Sequence, residues 1–228
     1  MPESKRTRSV ESLCRELKLD PVEVELEKRD DGWYFSQEVF RRPEDAAFRY
    51  FQGQGYYGNA CEGGAIQTVI KACCLDLLTA INTFRSEEDA CNRYLEAQFT
   101  IHWDKGAEIV RTVVAANEAT VVQNTAKIFS AGFVHGAFNS DVRQDACLGT
   151  WRALVATGVL EQITKKLMAR PYDYRAGWPD LTLYRENELL LIEVKTPKDK
   201  FHESQLRIVE NFITPLSIPF NVTKIVAI

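Results

Sequence analysis

The sequence predicts a mixed α/β fold, a helical body followed by a sheet-bearing tail, and three observations carry that reading. Apolar residues recur at steps of three and four through much of 43–135, as in Ile66, Val69, Ile70, Cys73, Leu77 and Ile81, the stripe of a helix packed on one face. After Pro171 the texture changes to short apolar runs, "LTLY" and "LLLIEV", separated by the polar "RENE", which reads as two strands and a turn. Near the start, "VEVELEKRDDGWYF" (22–35) alternates apolar and charged residues about an Asp-Asp-Gly turn, the pattern of a β-hairpin. With 228 residues, 45% of them hydrophobic, the chain is long enough to bury one substantial core.

Taken in order, residues 1–42 form an N-terminal extension that holds the hairpin. Pro43 and Glu44 open a helix through "PEDAAFRYF", proline being suited to a first helical position. Gly53, Gly55 and Gly58 then spell G-x-G-x-x-G. A dinucleotide turn of that spacing needs a strand before it and a helix after it. Here a helical stretch precedes it, so a nucleotide-dependent oxidoreductase is set aside and the glycines are expected to turn between two helices. The next helix is expected to begin at Glu62, which lies one turn before Ile66 on the apolar stripe. "SEEDA" (86–90) offers a Ser N-cap with acids in the first turn. A helical pair spans about 140–169 and divides near Gly158. Beyond the two tail strands, "HESQLRIVENF" reads as a helix and "NVTKIVAI" as a last strand.

Composition excludes several classes. The N-terminus is charged from the start and the most apolar later stretch is broken by Lys71 and Asp76, so neither a signal peptide nor a membrane span is expected. Six cysteines at 14, 61, 73, 74, 91 and 147 show no C-x-x-C pairing and are expected to be core thiols of an intracellular protein. The compartment would be nucleus in a eukaryote and cytoplasm in a bacterium or virus. Net charge is −4, yet residues 165–228 hold ten Lys and Arg against eight Asp and Glu. The tail is therefore the expected polyanion face.

The chemistry-bearing residues lie in "GWPDLTLYRENELLLIEVKTPKDK" (177–200). Asp180 stands at the mouth of one strand, and the next delivers Glu193 and Lys195 to a common face, because strand side chains alternate. Charged residues at the end of so apolar a strand need a reason. Two carboxylates suit a hard divalent cation, which polarises a phosphate and acidifies its water. A lysine beside them can orient that water and offset developing charge. Glu62, at an apolar-stripe position, reads either as a first-turn acid favoured by the helix dipole or as an inward carboxylate kept for the same metal.

Pro-Asp followed by Glu-x-Lys resembles the signature of the PD-(D/E)xK nuclease superfamily. The flanking "RAGWPDL" and "EVKTPKDKFHESQ" resemble the VRR-NUC family, and "EDAAFRYFQGQGYYGNACEGG" (44–64) resembles the segment of its Fanconi-associated nuclease branch that leads to a metal-binding Glu. The long helical stretch between Glu62 and Asp180 favours that branch, whose members usually carry a SAP-type domain and helical repeats that are not found here. The resemblance implies a restriction-endonuclease-like mixed β-sheet core flanked by helices. It places the nuclease domain over 43–228, with a helical insertion over about 83–139 and a catalytic sheet core over about 171–228. It implies Mg2+ or Mn2+ held by Glu62, Asp180, Glu193 and the Val194 carbonyl, with Lys195 catalytic and Gln205 supporting the site. Arg170, Arg175, Lys198, Lys200 and Arg207 are candidate phosphate contacts. The expected activity is a structure-selective DNA endonuclease, with exonuclease action as a further capacity, on flap or branched repair intermediates. Repair proteins would be further partners, with no membrane, and the oligomeric state stays open. The alternatives are a dimeric Holliday-junction resolvase and a non-catalytic DNA-binding module.

Overall fold

The computed structural model describes residues 6–131 and 142–228. Its strands are β1 (Thr7–Ser9), β2 (Val22–Arg29), β3 (Gly32–Phe35), β4 (Glu38–Phe40), β5 (Tyr57–Ala60), β6 (Leu181–Arg185), β7 (Glu188–Lys195), β8 (Lys200–His202) and β9 (Phe220–Ala227). Its helices are α1 (Val10–Leu17), α2 (Pro43–Gly53), α3 (Gly64–Ile81), α4 (Glu87–Asn92), α5 (Leu95–Ile101), α6 (Gly106–Ala115), α7 (Glu118–Ser130), α8 (Gln144–Ala156), α9 (Leu160–Ala169) and α10 (Glu203–Ile208). A π-helical turn, Val209–Ile213, extends α10.

Seven strands form one mixed sheet in the order β4–β3–β2–β9–β7–β6–β5. The turn at 186–187 closes β6 and β7 as an antiparallel hairpin, Leu181 opposite Ile192. Helix α10 then crosses over so that β9 runs parallel to β7, with Lys195 beside Lys224. The parity of β7 divides the core. Leu189 and Leu191 face a large helical layer, and Ile192 and Val194 face a smaller cluster with Ala46, Ala47 and Phe51 of α2. This is the restriction-endonuclease-like arrangement, a mixed sheet between helices.

Helix α3 is the hub of the larger layer and packs against α4, α5, α6, α7 and α8. It is long and apolar enough to cross a membrane by composition, yet two thirds of it is buried inside the fold. The expected Ser86 cap is present, its hydroxyl accepting from the Asp89 amide at 3.1 Å. All six cysteines are free thiols, five of them buried. Burial pushes Cys73 and Cys147 up to about 12, so they pack as apolar residues rather than act as nucleophiles.

Three expectations need correction. The Gly53–Gly58 segment does not turn between two helices: Tyr57–Ala60 is a strand, β5, pairing antiparallel with β6 through Ala60 and Leu181. Glu62 does not begin α3, which starts at Gly64. The hairpin 22–35, expected within an N-terminal extension, is built into the main sheet, where β2 runs parallel to β9. The two short strands β1 and β8, not anticipated, pair as a separate antiparallel ribbon.

Candidate active site

Four elements converge where β5 and β7 end, β6 begins and α10 starts. The carbonyl of Asp180 accepts the backbone N–H groups of Cys61 at 2.9 Å and Glu62 at 3.2 Å, tying the end of β5 to the start of β6. The Asp180 side chain reaches across to the next strand, where Oδ2 accepts the Val194 N–H at 2.7 Å. Glu193 and Lys195, 2% and 7% exposed, form an ion pair with Nζ 2.7 Å from Oε1. From the first turn of α10, Gln205 donates through Nε2 to Glu193 Oε1 and accepts Lys195 Nζ at 3.3 Å through Oε1. The same Oε1 accepts the His202 N–H at 2.9 Å. Gln205 therefore completes the capping box of α10 and holds both charged residues of the strand.

The electrostatics follow from burial. Asp180 is raised to about 7, foremost by loss of solvation; the Val194 N–H and Lys195 oppose this, and the charges of Glu44 and Glu62 add to it. Glu193 is raised well above the usual carboxylate range, again foremost by burial, with Asp180 adding to it and Lys195 opposing it. Both carboxyls are thus disfavoured in their charged form, chiefly by lost solvation and further by neighbouring carboxylates, with Lys195 as the opposing charge.

Glu62 is exposed and sits in the turn before α3 with φ 45°, followed by Gly63 at φ 80° as the N-cap. A Cβ on Gly63 would lie 2.4 Å from Trp178 Cβ, so only glycine lets this turn close on the tryptophan. The 3.6-residue stripe stops at Gly64, and the inward position expected for Glu62 is lost with it. Its charge still acts on Asp180 and Glu193. Among the described residues, no group of three or more Asp, Glu, His or Cys side chains is set to hold a metal ion as it stands. The donor set of Glu62, Asp180, Glu193 and the Val194 carbonyl is all oxygen, which fits a hard cation, with Asp180 and Glu193 already adjacent and Glu62 at the rim.

Of the candidate phosphate contacts, Lys198 and Lys200 are exposed on the segment that leaves β7. Arg175 lies over the Tyr172 ring at 5.5 Å, and Arg170 is 3.8 Å from Asp173. Arg207 donates to the Asp173 carbonyl at 3.2 Å and to Glu203 at 3.3 Å, so it also braces the turn before Trp178. Asp76 lies away from this cluster, exposed and 3.6 Å from Lys127.

Two residues escaped the sequence reading. Glu44 was legible only as a first-turn acid of α2, yet it is half-buried and its charge acts on Asp180. Phe201 lies under Lys195, whose Nζ is 4.8 Å from the ring centroid; nothing local in "KFH" signals that contact.

The Gly-Trp-Pro-Asp stretch explains how the site is held. Trp178 is 1% exposed, packs on Phe212 with centroids 4.9 Å apart and donates to the Tyr174 carbonyl at 2.8 Å. Gly177, at φ 88°, lies so close to α10 that a Cβ would meet Ser204 C at 2.3 Å. Gly177→Ala is expected to cost about 2–4 kcal/mol, as measured by urea denaturation. A variant within experimental error of the parent would refute this packing argument.

The VRR-NUC domain family matches residues 144–224. No curated protein matches the sequence. The fold is similar to that of paFAN1 bound to a 5′-flap DNA with a 2-nt flap and a gap, with TM-score 0.58 and 15% identity, covering 100% of this chain and 40% of that one. It is also similar to paFAN1 on a 1-nt 5′-flap DNA with a gap, with TM-score 0.54 and 16% identity, covering 95% and 41%. The chain therefore spans well under half the length of these structures. Asp180, Glu193 and Lys195 all lie inside the region that matches the VRR-NUC domain family, and the fold of the chain resembles that of paFAN1.

Proposed function

We propose that this protein is a divalent-metal-dependent DNA endonuclease that cleaves phosphodiester bonds in flap or branched DNA. The observation that carries the reading is the buried Glu193–Lys195 pair beside Asp180 at the end of paired strands. Burying two charges beside a third, half-buried one is costly without a task for them. The VRR-NUC match and the likeness to structures solved on 5′-flap DNA support the substrate class.

In this reading Asp180, Glu193, the Val194 carbonyl and Glu62 hold Mg2+ or Mn2+. When bound, the ion polarises the scissile phosphate and lowers the pKa of a water. Lys195, fixed by Glu193 and Gln205, points an N–H donor at the attacking water or at a phosphate oxygen and offsets charge developing there. Lys198 and Lys200 contact the DNA backbone near the cut, with Arg175, Arg170 and Arg207 farther along the same strand. A protein of net charge −4 needs such a local patch to meet a polyanion. The deciding experiment incubates purified protein with labelled single-stranded, duplex, 5′-flap and four-way DNA, in Mn2+, in Mg2+ and in EDTA. Flap cleavage in either metal and none in EDTA is expected. An intact flap in both metals, or undiminished cutting in EDTA, would overturn the proposal.

A further inference from the structure

We infer that the N-terminal strand β1 is a positioning element of the active site, acting through the ribbon it forms with β8. The inference rests on the nuclease reading above. Thr7, Arg8 and Ser9 pair antiparallel with His202, Phe201 and Lys200. Cross-strand partners share a face, and the two faces of this ribbon differ in what they touch. Thr7, Ser9, Lys200 and His202 are exposed, whereas Phe201 is buried and Arg8 is partly covered beside it. Phe201 is the ring beneath Lys195. One residue on, the His202 N–H holds Gln205 Oε1, and Gln205 in turn holds Glu193 and Lys195. The segment 200–205 thus touches both charged residues of β7 by two independent routes, through an aromatic face and through an amide.

Segment 200–202 is fixed by the burial of Phe201 in the main core, by the capping of α10 at His202 and by its pairing with β1. It is three residues long, follows the exposed turn at 197–199, and its only strand partner among the described residues is β1. A lone short strand does not hold its own geometry in water. Strand β1 is itself anchored: Ser9 caps α1, accepting the Ser12 N–H at 3.2 Å, and Val10, Leu13 and Cys14 of α1 are buried in the main core. At the other end Arg6 pairs with Glu210 at 2.8 Å. The chain from core to catalytic lysine therefore runs α1, β1, β8, then Phe201 and Gln205. Without β1, Phe201 and Gln205 keep their places in the core and in α10 but lose the backbone partner that sets their register against Lys195 and Glu193.

Proline at position 8, the middle residue of β1, tests this, because its ring fixes φ and it has no N–H to give to the ribbon, while Arg8→Val keeps the pairing and removes the side chain with its exposed ion pair to Glu16. Hydrogen exchange should show Arg8→Pro deprotecting 200–206 with the remaining sheet unchanged. On 5′-flap DNA with Mn2+, kcat should fall by about 10- to 100-fold, the range expected for a catalytic group displaced by about 1 Å. KM should stay within about twofold, since only orientation of the reacting groups is lost. Arg8→Val should behave as the parent. If Arg8→Pro opens the ribbon and kcat does not change, the inference is wrong. It is equally wrong if Arg8→Val is as impaired, because the side chain and not the pairing would then matter. Should Arg8→Pro not fold, Arg8→Gly, which loosens the strand and keeps the N–H, carries the same comparison in weaker form. A parent protein that cuts nothing refutes the nuclease reading, whereas an active parent with an indifferent Arg8→Pro refutes only the role of β1.

Discussion

Glu193→Gln is expected to abolish cleavage, lowering kcat on flap DNA by about 10³-fold or more, while the protein still folds and still binds DNA. The substitution is well matched to the site because both contacts of Glu193 fall on one oxygen: Lys195 Nζ and Gln205 Nε2 each meet Oε1. A carboxamide oxygen can accept both. What disappears is the negative charge. Two consequences for stability then oppose each other, since Lys195 loses its buried counterion while the repulsion from Asp180 is relieved. A melting temperature within a few degrees of the parent is therefore expected for Gln, and a larger loss for Glu193→Ala, which leaves Lys195 and Gln205 facing a cavity. Single-turnover cleavage on saturating enzyme, with binding followed by anisotropy in Ca2+, separates chemistry from affinity. Residual cutting at a tenth of the parent rate would mean that Glu193 is not central to the reaction.

How much of this site was legible before the structure depended on how local its causes are. The strand "LLLIEV" and the charged residues at its end could be read because parity and hydropathy are local properties, and Asp180, Glu193 and Lys195 do meet. Helix α3 was legible for the same reason. Its beginning was not: the stripe was extended one turn too far, through Gly63, whose left-handed conformation is fixed by contact with Trp178, a residue distant in sequence. Strands β5, β1 and β8 are three or four residues long and hold together by pairing with segments far along the chain, which no window of sequence displays. The expected domain divisions at 42 and near 83 and 139 fall on or beside the hairpin, α4 and the stretch 132–141; the last lies outside the described residues. Glu44 reads locally as no more than the opening of α2 beside Pro43, and its approach to Asp180 is set by tertiary packing.

Asp180 supplies the second large effect, and it appears without any substrate. In the folded protein its pKa is raised to about 7, foremost by burial, against about 3.9 in an unfolded chain. The folded state therefore keeps a proton that the unfolded state has lost between those values, and stability falls as pH rises through this window. The full interval corresponds to about 4 kcal/mol at 1.36 kcal/mol per unit. Asp180→Asn removes the titration and keeps an oxygen to accept the Val194 N–H. Denaturation in EDTA should thus find Asp180→Asn more stable than the parent by about 2–4 kcal/mol at pH 8, with the two converging near pH 4. Glu193, raised in part by the charge of Asp180, is eased when that charge is removed, which adds to the stability of Asp180→Asn in the same direction. On the proposed function a divalent cation would change the sign for the parent alone, because it would bind the ionised carboxylates and stabilise the fold by mass action, so Mn2+ should raise the parent's melting temperature more at pH 8 than at pH 5. Asp180→Asn should gain far less and should not cleave. The protein would then owe part of its metal-free instability at neutral pH to the carboxylate its proposed reaction requires, a cost that cation binding offsets. A stability difference independent of pH, or an equal response of both proteins to Mn2+, would show that Asp180 is neither strained by its burial nor a ligand.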